Sequence, residues 1–300
     1  MRTNEPVAGF LDAAVETDLS QLDATLALLG VPHGWPYPRP GTTAGCADAP
    51  ATVRRRSQQM ARYRDHWDFD IDAPMTLRPM VDAGDVPGDA ADGAGNSARI
   101  TQAVAEIVGR GSIPICIGGD DSVTIPVLRG LADRGPITVL QVDAHLDFRD
   151  EVDGVREGYS SPMRRASEMA HVERIIQVGL RGVGSARAAD VDDARAAGNL
   201  LVTARELDER GVGWVLDQVP ADASVFLAFD CDGLDPSVFP AVSAQAPGGL
   251  SYAQALELMS GIRPRLAGAV FTEFVPDLDL NDISALVLSR LILGLGHRPV

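Results

Sequence analysis

The sequence predicts a three-layer α/β/α fold around a mostly parallel sheet, in a single domain spanning residues 1–300. Two observations predict it. Short apolar runs alternate with longer segments of helical periodicity, the pattern of βα units. Several of those runs are apolar at nearly every position, as in Ile113 to Gly119, Ile137 to His145 and Ser224 to Asp232. Such runs suit central strands covered by helices on both faces. The 300 residues are enough to bury one large core.

Six stretches read as strands. They are Leu26 to Val31, Ile113 to Gly119, Ile137 to His145, Arg174 to Arg181, Ser224 to Asp232 and Gly268 to Pro276. Helical spacing is found in Ala98 to Val108, which ends near Gly109, and in Ser122 to Asp133, which stops at Arg134-Gly135. Tyr252 to Ile262 and Asp282 to Leu293 carry the same spacing. Two stretches read as loops: Ala83 to Asn96, rich in Gly, Asp and Pro, and residues 32 to 47, with Pro32, Pro36, Pro38 and Pro40.

Composition narrows the function classes. The net charge is −16 and the pI near 4.6, so the chain repels nucleic acid and anionic membrane, and neither is expected as a partner. No apolar run reaches the length that spans a bilayer, and the first residues lack the basic start and apolar core of a signal peptide. A cytoplasmic location is the expectation. Cys46, Cys116 and Cys231 form no CxxC pair, which argues against a thiolate zinc site.

Chemistry is expected where strands end, because open parallel sheets bind ligands at their carboxyl edge. Three strand ends finish in acidic clusters: GGDDS (Gly118 to Ser122), DAHLD (Asp143 to Asp147) and DCDGLDP (Asp230 to Pro236). On an extended strand, residues two apart share a face. Asp143, His145 and Asp147 are therefore expected to project together, as are Asp230 and Asp232. Buried carboxylates on one face are costly unless a cation compensates, and hard oxygen donors suit a divalent ion. Aspartates at strand ends also serve as caps and turn formers, and that is the competing role.

These motifs, in this order, resemble the arginase/agmatinase (ureohydrolase) family. The resemblance runs from about Leu26 to Leu293 and includes GVPHGWPYPRPG (Gly30 to Gly41), GGDDS, DAHLDFRD, DCDGLDPSVFPAVSAQAPGG and TEFVPDLD. It implies an arginase-like fold and two Mn²⁺ per chain that activate water, nickel or cobalt being the alternative ions. By resemblance Asp143 and Asp230 bridge both ions, Asp121 and Asp147 complete one of them, and His145 and Asp232 the other. It further implies that Asp147 orients the attacking water and that Glu273, in TEFVP, binds a substrate guanidinium. The expected partner is a small cationic guanidino or amidino substrate, and the expected assembly a homo-oligomer, trimer or hexamer.

Two positions depart from the family pattern. Asp121 stands where the family has histidine. Its carboxylate reaches about as far as an imidazole nitrogen but adds a negative charge, which raises the pKa of bound water. Asp121 could instead cap the helix beginning near Ser122, although its neighbour Asp120 could equally be the residue that fixes the turn. Tyr159, in GYSSP (Gly158 to Pro162), falls where the family has a histidine thought to shuttle protons. A tyrosine is a poor shuttle near neutral pH but can donate a hydrogen bond to substrate; packing is the competing role. Arg164 and Arg165 are expected on a helix after this loop, and His66, His171 and His297 on the surface.

The expected function is hydrolysis of a guanidino C–N bond with release of urea, agmatinase-like or guanidinobutyrase-like. The alternatives are a formimidoylglutamase-like hydrolase of formimino compounds, suggested by AVSAQAPGG (Ala241 to Gly249), and a catalytically silent subunit of a hetero-oligomer.

Overall fold

The structure, a computed structural model, describes residues 1–38 and 45–298. Arg39, Pro40 and Gly41 of the proline-rich segment lie outside the described residues. Eight strands form one sheet: β1 (Leu26–Val31), β2 (Met80–Asp85), β3 (Ile113–Gly118), β4 (Ile137–Val142), β5 (Val172–Leu180), β6 (Leu200–Thr203), β7 (Ser224–Asp230) and β8 (Leu266–Thr272). Their spatial order is β2-β1-β3-β8-β7-β4-β5-β6, and every pairing is parallel. The helices are α1 (Ala49–Ala61), α2 (Gly93–Gly109), α3 (Thr124–Gly130), α4 (Pro162–Ser167), α5 (Ala188–Ala196), α6 (Ala204–Arg210), α7 (Val212–Asp217), α8 (Tyr252–Ile262) and α9 (Ile283–Gly296).

The fully apolar strands divide their side chains between two cores, as the strand pleat requires. Leu28, Ile115, Leu140 and Ile176 pack on one face with residues of α1 and α6 to α9. Ala27, Leu29, Cys116, Val139 and Ile175 pack on the other with residues of α2 to α5. Both faces are thus covered, and the three-layer arrangement follows. The expected strands are all present, with ends shifted by a few residues.

Two strands, β2 and β6, were not expected, and both lie at the edges. In β2 the sequence Met80–Asp85 holds two aspartates and a glycine, so its pattern reads as loop. Asp82 is nonetheless fully buried, because the equally buried Arg54 of α1 donates to it twice, at 2.8 and 2.9 Å. The expected loop over residues 83–96 is therefore confined to residues 86–92. The expected helix over residues 122–133 is broken into a 3₁₀ turn (Asp121–Val123), α3 and a second 3₁₀ turn (Ala132–Arg134). His297, expected at the surface, is buried, and its neighbour Arg298 bonds back to Thr76 through the backbone.

Register aligns the functional strand ends. Val142 pairs with Phe229, Phe229 with Phe271, and Phe271 with Ile117. The next residues along these four adjacent strands are Asp143, Asp230, Thr272 and Gly118, so the chain leaves the sheet at one level with acidic residues side by side. Close packing holds them there. A methyl group on Gly233 would sit 2.8 Å from the backbone nitrogen of Asp143 and 2.8 Å from Val142 Cγ1. Gly233→Ala must therefore push the turn after β7 away from that after β4. Such overpacking is expected to cost about 1–3 kcal/mol. It should lower both the denaturant midpoint and the number of divalent ions retained per chain, and unchanged ion retention would show that the contact does not set the site.

Candidate metal centre and substrate cavity

The six residues expected as ligands come together at the carboxyl edge. Asp121, Asp143, Asp147, Asp230 and Asp232 are all buried, and the His145 side chain is 18% exposed. Single donor atoms of Asp143, His145 and Asp232 lie within 4.8 Å of one another, as do those of Asp121, Asp143 and Asp230. Asp143 belongs to both groups.

The way they converge differs from the strand-face expectation. β4 ends at Val142 and β7 at Asp230, so Asp143 to Asp147 and Asp232 lie on turns rather than on the pleat. Asp230 caps the 3₁₀ turn Cys231–Gly233 by accepting from the Asp232 amide at 2.8 Å. Asp147 adopts a left-handed backbone, φ 45°. That conformation is strained for any side chain bearing a Cβ, and strain of this kind concentrates at functional sites. Glu273, φ 62°, is another instance within the cluster. A sequence pattern shows neither.

Neutral donors orient the carboxylates. Asp143 accepts from Gln141 Nε2 at 2.7 Å and from the His145 amide at 2.5 Å. Gln141 accepts from Gln177 at 2.6 Å, and Gln177 accepts from Asn199 at 2.9 Å, a buried chain of amides. His145 Nδ1 faces Asp232 Oδ2 at 3.0 Å and Asp143 Oδ1 at 3.5 Å. The Ala144 amide donates to Asp232 at 3.0 Å.

The two aspartates of GGDDS have separate jobs. Asp120 is the cap: it accepts from the Ser122 amide at 2.9 Å and from the Ser122 hydroxyl. Asp121 turns into the cluster. Its Oδ1 accepts from Thr124 Oγ1 at 2.6 Å and from Thr272 Oγ1 at 2.9 Å, while its Oδ2 is buried with no protein partner. Sequence reasoning missed both threonines; Thr272 directly precedes Glu273 and was in plain sight.

Glu273 is fixed by the same segment, its Oε1 accepting from the Asp121 amide at 2.8 Å and its Oε2 lying 4.0 Å from Cys46 Sγ. Tyr159 stacks edge-on against Tyr37, ring centroids 4.6 Å apart, and Tyr37 accepts from the Ser160 amide. Asp121, His145, Asp147, Asp230, Asp232, Tyr159 and Glu273 all line a cavity of about 450 Å³, together with Ser160, Val183, Ser185 and Ser243. A larger cleft, about 760 Å³, lies beside Leu11, Arg64 and Arg78 and contains none of these residues. Arg164 and Arg165 lie on α4, as expected, outside the cavity.

Electrostatics report the strain of assembling these charges. Burial, then the charge of Asp232, pushes Asp143 up to about 6. Burial, then Asp143, raises Asp121 and Asp147 well above the usual carboxylate range. Burial, then Asp232, does the same to Asp230, and burial, then Asp120, to Glu273. Hydrogen bonding to Asp143, then to Asp232, raises His145 to about 10.

Buried aspartates at three parallel strand ends, with the half-buried Glu273 at a fourth, place the chain among α/β enzymes built to hold divalent cations. The chain belongs to the arginase family, whose model matches residues 24–296. It is 30% identical to the mitochondrial agmatinase of Gallus gallus, over 95% of this chain and 84% of that one. It is 32% identical to a guanidinopropionase of Pseudomonas aeruginosa, over 90% and 85% of the two chains. Among solved structures, a proclavaminate amidino hydrolase from Streptomyces clavuligerus superposes with a TM-score of 0.82 at 25% identity, covering 97% of this chain and 96% of the other. Formimidoylglutamase from Bacillus subtilis shares the fold, with a TM-score of 0.79 at 24% identity over 98% and 93%.

The raised values give a pH dependence of stability for metal-free protein. Between the unfolded carboxylate value near 3.8 and about 6, folded Asp143 holds a proton that the unfolded chain has lost. Between 6.5 and about 10, folded His145 does the same. Stability therefore falls as pH rises wherever the folded state binds more protons. Metal-free protein should melt at a higher temperature at pH 5.5 than at pH 8, and saturating Mn²⁺ should remove or reverse that trend. A melting temperature of the metal-free protein that rises from pH 5.5 to pH 8 would contradict this.

Proposed function

We propose that the protein hydrolyses a C–N bond of a small cationic guanidino compound and releases urea, with agmatinase-like or guanidinobutyrase-like substrates the first candidates. One observation carries the reading: a fixed carboxylate, Glu273, shares a single cavity with all the clustered aspartates but Asp143, which is fully buried and groups with them. The residues present fit two divalent ions. Asp121 offers a buried oxygen with no protein partner, and the donor set is hard oxygen with one imidazole. In this reading Asp143 and Asp230 would be shared between the two ions, Asp121 and Asp147 would complete one set of ligands, and His145 and Asp232 the other. Bound there, the ions would make a water nucleophile available at neutral pH and polarise the substrate.

The chain's own residues do the rest. Asp147 accepts the hydrogen bond that orients the attacking water. Glu273, held by the Asp121 amide, pairs with the planar cation, a geometry that suits a carboxylate. Tyr159, propped against Tyr37, donates a hydrogen bond to the substrate. The leaving amine takes the proton that the attacking water gives up, so the C–N bond breaks as the new C–O bond forms. Manganese as the native ion, a trimeric or hexameric assembly, a single catalytic domain and a cytoplasmic location belong to the same proposal. No helix among the described residues is long and apolar enough to cross a membrane.

The test is a turnover screen of guanidino and formimino compounds after loading with Mn²⁺ or Ni²⁺, with urea and formamide measured separately. Urea from a guanidino compound supports the reading. Formamide alone would move the protein to the formimino hydrolases. Absence of turnover with well under two ions per chain would mark a silent subunit.

Two substitutions sharpen it. Glu273→Gln keeps shape and removes the charge that pairs with the substrate, so kcat/KM should fall on the order of a hundredfold while ion content stays at two. Asp230→Ala removes a ligand common to both ions and should lower ion content and turnover together. Full turnover with two tightly held ions in Asp230→Ala would refute the binuclear assignment.

A further inference from the structure

We infer that the two cation positions differ in kind: Asp121 makes one of them an all-oxygen site, which discriminates weakly between manganese and nickel, while His145 gives the other a strong preference for nickel. The inference rests on the binuclear reading above and concerns which ion each position selects.

The donor sets are unequal. Asp121, Asp143 and Asp230 form a group of three carboxylates, while Asp143, His145 and Asp232 form a group that includes an imidazole. Asp121 is built as a one-oxygen donor. Thr124 and Thr272, from α3 and the end of β8, both donate to Oδ1. That fixes the carboxylate plane and leaves Oδ2 buried, without a partner. An imidazole at this position would have no use for two hydroxyl donors aimed at one acceptor. The surroundings of Asp121 are therefore those of an oxygen ligand, with Thr124 and Thr272 as its positioning residues.

Chemistry sets the consequence. Affinity rises from Mn²⁺ to Ni²⁺ for oxygen and nitrogen donors alike, but imidazole suits nickel whereas carboxylate suits manganese. Replacing nitrogen by oxygen at one position narrows the gap there and leaves it wide at the other. Nickel should thus displace manganese in two separate steps, the His145 position first.

The experiment uses whole protein loaded with Mn²⁺ and titrated with Ni²⁺. Released Mn²⁺ is read by electron paramagnetic resonance and bound ions are counted by mass spectrometry. Two steps are expected, separated on the order of tenfold in Ni²⁺ concentration. In Asp121→His the second step should move toward the first. In His145→Asp the first should move toward the second. Thr272→Val, which removes one of the two fixed donors, should weaken Mn²⁺ retention in the second step and leave the first in place.

Simultaneous loss of both Mn²⁺ ions from the unsubstituted protein overturns the inference and leaves the metal-hydrolase reading standing. Two steps that ignore both Asp121→His and His145→Asp overturn the assignment of the steps to these residues. A protein that retains no Mn²⁺ before nickel is added overturns the inference and the binuclear reading together. The unsubstituted titration decides the first and third outcomes even if a variant fails to fold.

Discussion

Mutual repulsion among buried carboxylates is the constraint on which this structure turns. Five aspartates at three strand ends, with Glu273 at a fourth, would drive each other apart in a flexible chain. Here they are held at one level by parallel register, with Asp143, Asp230 and Thr272 following paired residues of the same row. A covered sheet with an apolar core on each face supplies the rigidity. The carboxylates are kept from relaxing by backbone amides, neutral side chains and glycine-tight turns. A divalent cation held among them would relieve this electrostatic stress.

The same arrangement joins the aspartate cluster to Glu273. The amide of Asp121 holds Glu273, and the side chain of Asp121 faces the carboxylate cluster. Movement in the turn after β3 is therefore felt at both. The left-handed conformations of Asp147 and Glu273 place their side chains in the cavity at a cost that the surrounding packing must cover.

The central strands were legible because fully apolar runs such as Ile137 to Val142 have no alternative reading in an α/β chain. The edge strands were not. β2 carries Asp82, whose buried partner Arg54 is 28 residues away and invisible to local pattern, and β6 has only four residues. The acidic clusters were legible as a set, since three of them follow apolar runs. Their geometry was not, because the residues lie on turns, where alternation no longer applies. Asp121 was preferred over Asp120 by its place in the family motif; the physical difference between two identical neighbours shows only in Ser122 on one side and Thr124 and Thr272 on the other. Tyr159 was found by its place in a motif, but its support, Tyr37, comes from a distant loop.

The buried amide chain that ends on Asp143 has a fixed polarity. Gln177 also donates to the carbonyl of Leu146, at 2.7 Å, and a carbonyl can only accept. The Gln177 amide therefore cannot turn over, which sets the orientation of Gln141 and obliges Gln141 to present its NH₂ group to Asp143. The carboxylate is aimed by a partner without charge. An arginine or lysine in that place would aim it equally well but would neutralise it, and the anion needed to attract a cation would be lost. The wiring behind the site is polar enough to give direction and neutral enough to leave the field at the cavity undiminished.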